Sequence, residues 1–263
     1  MFKEMISEKE MTLEPVETIK NGIIYNGFRI KTDDSLISPV IYLHEGMTAA
    51  EFFDAAEKAL EEAKKISFDP SILKNRRSIL ENIFPAVQRK STAPCGYLTG
   101  EVLNLETFLR LVVGEGMSIR VTEDLLKDAG ISSDEAWTSA EENFLSCIRI
   151  RSIAEILGFS AGIALVPLYA VTMEDGLEGA ACLMYPDIFR AFCLKVGAEG
   201  IVILPSSTQE VLIAPDDGTM SYAEFASLVN FVNETEVSPE IRLDPVVYRY
   251  DLISNEIKIA ARF

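Results

Sequence analysis

Ile201-Val202-Ile203-Leu204, then Pro205-Ser206-Ser207-Thr208-Gln209-Glu210, then Val211-Leu212-Ile213-Ala214: this stretch decides the fold. Two apolar runs rich in β-branched residues are too short for helices and have the length of buried strands. The brief polar connection makes them an antiparallel hairpin. The same pattern recurs on both sides, with apolar runs at Ile163–Val171 and Ala180–Met184 before it and at Val246–Tyr250 and Ile257–Ala260 after it. Between the runs, Pro186 opens a helix through Val196 that stops at Gly197. A second helix begins where Ser221 and Glu224 form a capping box, with Tyr222, Phe225, Val229 and Val232 turned inward. The order β-β-α-β-β-α-β-β predicts an α+β fold: a largely antiparallel sheet with its two helices covering one face. The β-β-α units at 163–196 and 201–233 are of similar length, which suggests a weak internal repeat.

Working toward the N-terminus, residues 70 to 149 read as a helical middle segment. The helices fall at Ser71–Phe84, at Val102–Val113 ending at Gly114, at Glu123–Ala129, and after a Ser132/Glu135 cap. In the last of these, Trp137, Ala140, Phe144 and Ile148 recur at helical spacing, so the lone tryptophan is a packing residue. Further back, Ile23–Tyr25, Phe28–Lys31 and Val40–Leu43 read as three short strands, the first two joined by a turn at Asn26-Gly27. A helix capped by Thr48 and Glu51 follows, giving an N-terminal β-β-β-α unit. The organisation expected is an acidic leader over 1–20, a mixed and helical region over 21–160 and an α+β domain over 161–263.

The 263 residues are 48% hydrophobic and 25% charged, the balance of a folded protein, and no apolar run reaches the roughly 20 residues of a membrane span. The leader, with Glu4, Glu8, Glu10, Glu14 and Glu17, lacks the apolar segment of a secretory signal, so a cytoplasmic setting is expected. Cys95, Cys147, Cys182 and Cys193 form no short pair and read as reduced thiols rather than zinc ligands. The formal charge of −17 disfavours generic nucleic-acid binding and suits a basic protein partner. The strip Lys74, Arg76, Arg77, Arg89, Lys90 is the exception, read as a solvated surface that balances nearby acids.

Candidate chemistry is sparse. His44 is the one histidine, at the end of a predicted strand, so any Ser-His, Cys-His or His-metal mechanism must pass through it. The loop carrying Ser206, Ser207, Gln209 and Glu210 concentrates hydroxyls beside a carboxylate, yet it contains no base, and hydroxyls in hairpin loops mostly cap turn backbone. Asp216 and Asp217 precede Gly218 in a turn and, with Glu210, suggest a cation site; the bland reading is turn geometry. Tyr248 and Arg249 lie on a predicted strand, with Tyr248 and Tyr250 on one face and Arg249 and Asp251 on the other, either as cross-strand pairs or as an interface patch.

Several segments in order carry a resemblance: Ser38-Pro39 before Ile41-Tyr42-Leu43, Gly130-Ile131-Ser132, Ala140-Glu141-Glu142-Asn143, Leu204-Pro205-Ser206-Ser207, Pro215-Asp216-Asp217-Gly218, Asn233 to Pro239, and Val247-Tyr248-Arg249-Tyr250-Asp251. Over residues 20 to 255 the chain resembles a bacterial domain-of-unknown-function family of gut-dwelling Gram-positive anaerobes. The resemblance implies a bacterial cytoplasmic setting, no established activity, and a histidine in many members where this chain has Gln209. Gln cannot act as a general base. The expectation is therefore a non-catalytic binding or regulatory protein without cofactor or metal, presenting Ser206–Glu210 and Asp216–Asp217. The alternative is a hydrolase using Ser206 or Ser207, or an Asp216/Asp217/Glu210 cation.

Overall fold

The computed structural model describes residues 11–32, 37–66, 69–90, 97–114, 116–156, 158, 167–174 and 176–263. The chain divides into two compact units, Met1–Asp69 and Pro70–Phe263, a division that falls well before the 160/161 boundary expected from the onset of short apolar strand runs.

In the first unit, β1 (Thr12–Lys20) and β2 (Ile23–Lys31) pair antiparallel along their whole length, and β3 (Val40–Tyr42) adds to β2. The expected β-β-β-α order holds, but with different strands. Residues 12–20, placed in a leader, are β1, while residues 1–10 lie outside the described residues. The turn is Asn21-Gly22, where both residues have positive φ (48° and 76°) as a two-residue hairpin requires. Asn26-Gly27 lies instead in mid-strand, Gly27 opposite Tyr42, because the carbonyl of Ile41 approaches so closely that no Cβ fits. Helix α1 (Ala49–Lys65) starts at Thr48, whose hydroxyl accepts from the Glu51 amide (3.3 Å) while the Glu51 carboxylate accepts from the Thr48 amide (2.8 Å). It sets Ala56 and Leu60 against Met11, Leu13, Ile30 and Ile41.

The second unit begins with a 3-10 turn, Pro70–Lys74, and helix α2 (Arg76–Asn82). A four-stranded antiparallel sheet follows: β4 (Ile83–Arg89), β5 (Thr99–Val102), β6 (Leu105–Gly114) and β7 (Met117–Arg120), in the order β4-β6-β5 with β7 also on β6. The helix expected over Val102–Val113 is thus corrected to strand. Leu105, Phe108, Leu109, Val112 and Val113 fall at helical spacing, but β6 is buried on both faces, so alternation is lost and only the β-branched Thr107, Val112 and Val113 mark it as strand. Helices α3 (Glu123–Asp128) and α4 (Ser133–Cys147, capped by Ser132) stand where the sequence places them.

Next come β8 (Ile148–Ser152), the short α5 (Ile153–Ile156) and β9 (Tyr169–Met173). Of the run Ile163–Val171, residues 163–166 lie outside the described residues and Tyr169–Val171 belong to β9. Ala180–Met184, expected as a strand, belongs to a 3-10 segment, Gly179–Met184. Gly179 to Leu183 are buried, and a Cβ on Gly179 would come within 2.7 Å of Thr172 Cα, so this apolar run plugs the sheet rather than joining it. Then follow α6 (Pro186–Val196, ended by left-handed Gly197), β10 (Gly200–Leu204), β11 (Glu210–Pro215), α7 (Tyr222–Thr235), β12 (Val246–Asp251) and β13 (Glu256–Arg262).

These strands form one antiparallel six-stranded sheet, β13-β12-β10-β11-β9-β8. Its two long helices lie on opposite faces, not on one. Ile201 and Ile203 pack with Phe189, Phe192 and Cys193 of α6, whereas Val202 and Leu204 pack with Phe225, Ala226 and Val229 of α7. Alternate residues of one strand go to opposite faces, so a strand that is apolar at every position needs cover on both.

Candidate functional site

The hairpin loop between β10 and β11 is clamped rather than displayed. Ser206 and Ser207 are only 4% and 5% exposed. The Ser206 carbonyl accepts from the Leu243 amide (3.2 Å), the Thr208 amide donates to the Ile241 carbonyl (2.8 Å), and Ser207 bridges to Arg242. On the other side the amides of Gly179 and Ala180 donate to the carbonyls of Gln209 and Thr208, and Thr172 Oγ1 also donates to Gln209 O. Ser207 Oγ accepts from the amides of Gln209 and Glu210, both at 3.2 Å, the turn-capping role of a loop hydroxyl. Exposed contact through Ser206 and Ser207 is therefore corrected; Gln209 is half-buried and Glu210 exposed.

Asp216 does not join Asp217 and Glu210. Its Oδ2 accepts from Tyr222 Oη (2.7 Å) and Arg249 Nε (2.6 Å), while Asp217 Oδ1 accepts from the Thr219 amide. Glu210 stands six residues before Asp216 along extended β11, about 20 Å away. The three carboxylates converge on nothing, and among the described residues no group of three His, Cys, Asp or Glu suits a metal ion. Arg249 also donates Nη1 to Asp251 Oδ2 (2.7 Å). Hydrogen bonds to Asp251 and Asp216 hold its guanidinium pKa above the ordinary value. Asp251 is pulled down to about 2 by Arg249 and by the Ser254 amide. Gly200 makes room for this knot, since a Cβ there would sit 2.8 Å from the Tyr250 carbonyl and 3.0 Å from Arg249 Nη2.

Tyr248 is 1% exposed and donates to Asn104 Oδ1 (2.5 Å), so it belongs to the core face and not to a surface patch. Tyr248 and Tyr250 point together to the α6 side, as alternation along a strand requires. The thiols of Cys182 and Cys193 are buried, which pushes both above the usual range and leaves them unreactive; Cys147 is also free, and Cys95 lies outside the described residues. His44 is exposed, its Nδ1 3.2 Å from the Glu45 carbonyl. Four of the five cations of the basic strip are engaged: Arg76 by Glu135 and the Gly130 carbonyl, Arg77 by Glu81, Arg89 by the Pro239 carbonyl and Lys90 by Glu101.

Two groups escaped the sequence. The first is a charged ladder on one face of the four-stranded sheet. Arg110 and Arg120 stand directly opposite each other on β6 and β7, a repulsive placement balanced by Glu178 on the first and by Glu106 and Gln88 on the second. Arg120 also stacks 4.0 Å from the Phe108 ring centroid, and burial lowers its pKa. The alternation Glu106, Phe108, Arg110 would have revealed this face had 105–114 read as strand.

The second is a cleft of about 410 Å³ between α4, β8 and α6, lined by Leu145, Ile148, Ile150, Asp187, Ile188, Ala191, Phe192 and Lys195. Its floor is the sheet's last strand: β8 pairs with β9 alone, so its other side is an edge among the described residues. An apolar cleft beside an edge strand can take up an extended chain through backbone hydrogen bonds and alternate side chains.

None of the described helices is long and apolar enough to cross a membrane. No curated protein and no solved structure matches the chain. A family model, the family of unknown function DUF5688, matches residues 103–252, which run from the β5–β6 turn to the residue after β12. That span is more than half of the chain, includes the cleft and the Arg249 knot, and shows that the chain belongs to the DUF5688 family.

Proposed function

We propose that this is a bacterial cytoplasmic binding protein without catalytic activity, and that its binding surface is the β8 edge with the adjoining cleft. The observation that carries this reading is the contrast between committed polar groups and an uncommitted apolar one. Ser207, Asp216, Asp217 and Arg249 each serve backbone or neighbouring side chains, while the cleft on Leu145, Ile150 and Phe192 opens along the edge of β8 on which no described strand pairs. The net acidity favours basic partners over most of the surface; the β8 edge, with Arg149 and Arg151, is locally of the opposite sign.

The test is site-specific photocrosslinking in the host, with benzoylphenylalanine replacing Arg151 in one variant and Ile253 in another. Ile253 is 91% exposed in the β12–β13 turn and serves as the control. Discrete adducts at position 151 and none at 253 are expected. The competing hydrolase reading is checked by a panel of ester, phosphoester and peptide substrates with and without divalent metal. Turnover that vanishes in the Ser206→Ala/Ser207→Ala or Asp216→Asn variants would overturn the binding reading.

A further inference from the structure

We propose that the β8 edge takes an extended peptide of alternating apolar and acidic residues as a seventh strand of the sheet, an inference that rests on the binding reading above. Backbone direction comes first. The Glu174 amide donates to the Cys147 carbonyl (3.1 Å) and the Ile153 amide to the Leu168 carbonyl (2.9 Å). In an antiparallel ladder such bonded positions recur every second residue, so Arg149 and Arg151 turn their backbone groups to β9 while Ile148 and Ile150 turn theirs outward. The outward Ile148 carbonyl is taken by Arg149 Nη1 (2.7 Å). The N–H and C=O of Ile150 face the open side, where no described strand pairs.

Side chains then set the chemistry. Ile148 and Ile150 share a face with α6 and floor the cleft, which asks for apolar residues at alternate positions of the incoming strand. Arg149 and Arg151 occupy the other face. Arg149 is drawn to Glu174 at 2.5 Å, but Arg151 is exposed and has no ion pair among the described residues. A carboxylate on the intervening positions of the incoming strand would lie beside it. A second copy is a poor occupant, since two-fold pairing centred on Ile150 would set Arg149 opposite Arg151 of the other copy. The sheet's far edge differs: β13 follows a register shift at Val247/Tyr248, and its Lys258 is held by Glu256.

The experiment uses the full chain and three dye-labelled octapeptides: alternating valine and glutamate, alternating valine and lysine, and the first with one central valine replaced by proline, which lacks the N–H of a ladder. Fluorescence polarisation should show micromolar binding of the glutamate peptide, at least about tenfold weaker binding of the other two, and about a tenfold loss in Arg151→Glu. Arg151 is exposed, so that variant keeps the fold, and circular dichroism checks it. Binding should also slow hydrogen exchange of the Ile150 amide. Equal binding of the glutamate and lysine peptides, or of the glutamate peptide to parent and Arg151→Glu, would refute the proposal. So would a concentration-dependent dimer lost in Ile150→Asp, which would assign the edge to a second copy. Crosslinks at position 151 without glutamate-peptide binding would remove this occupant and leave the binding reading standing; absence of both would remove both.

Discussion

At Arg249 one guanidinium ties together the turn after β11, the first residue of α7 and the end of β12, through Asp216, Tyr222 and Asp251. Truncating Asp216 to Ala should cost about 1–3 kcal/mol in urea unfolding, the range for a charge-assisted bond whose partner is left partly buried. Asp251 carries a pH signature. Its folded-state pKa of about 2 lies below the unfolded carboxylate value of about 4, so its stabilisation is present above the latter and fades as pH falls through the former. The urea midpoints of the parent and Asp251→Asn should therefore differ at neutral pH and converge near pH 2. Residue identity was easier to read than residue role: the pairing of Asp216 with Arg249 spans two strands and a helix start, and no local spacing encodes it. Ser206 and Ser207 misled for a related reason, because a polar hairpin loop looks exposed unless segments 179–180 and 241–243 are known to close over it.

Among the elements, those with chemical punctuation were legible. Thr48/Glu51, Ser132/Glu135, Pro186 with Gly197 and Ser221/Glu224 mark helix ends where the structure has them. Largely buried elements were not, since the apolar residues of β6 also fall at helical spacing and the Gly179–Met184 segment keeps no period to reveal its type. The Asn-Gly signal occurs twice in the first unit, and only its surroundings distinguish the turn at Asn21-Gly22 from the mid-strand crossing at Gly27. Gly27→Ala should destabilise that unit by about 1–3 kcal/mol, as an overpacked site does, because its methyl meets the Ile41 carbonyl. Gly22→Ala should cost less, since it suffers only the strain of positive φ. Chemical denaturation followed by tyrosine fluorescence, using Tyr25 and Tyr42 at 5.2 Å as reporters, compares the two.

At the level of the whole molecule, the α+β class was legible from alternating apolar runs and capped helices, but the division at Asp69/Pro70 was not, because the short apolar strand runs that begin after 160 belong to the same compact unit as the elements before them. Residues 70–263 hold both larger sheets and the core formed by Phe144, Phe189, Ile201 and Tyr250, so expressed alone they should fold, checked by dispersed amide resonances. Within that unit Phe189→Ala should cost about 3–5 kcal/mol, the range for emptying an aromatic site in a core. The strand order also bears on synthesis. β10 is flanked by β11 on one side, but its second neighbour, β12, starts only at Val246. While the ribosome is still making residues 216–245, a finished β10–β11 hairpin holds Ile201 to Leu204 with one edge open, the kind of apolar template on which nascent chains coalesce. Premature stop codons before Val246 should therefore yield insoluble product even where every residue up to the stop is native, and slow translation through α7 should raise the chain's demand for chaperones.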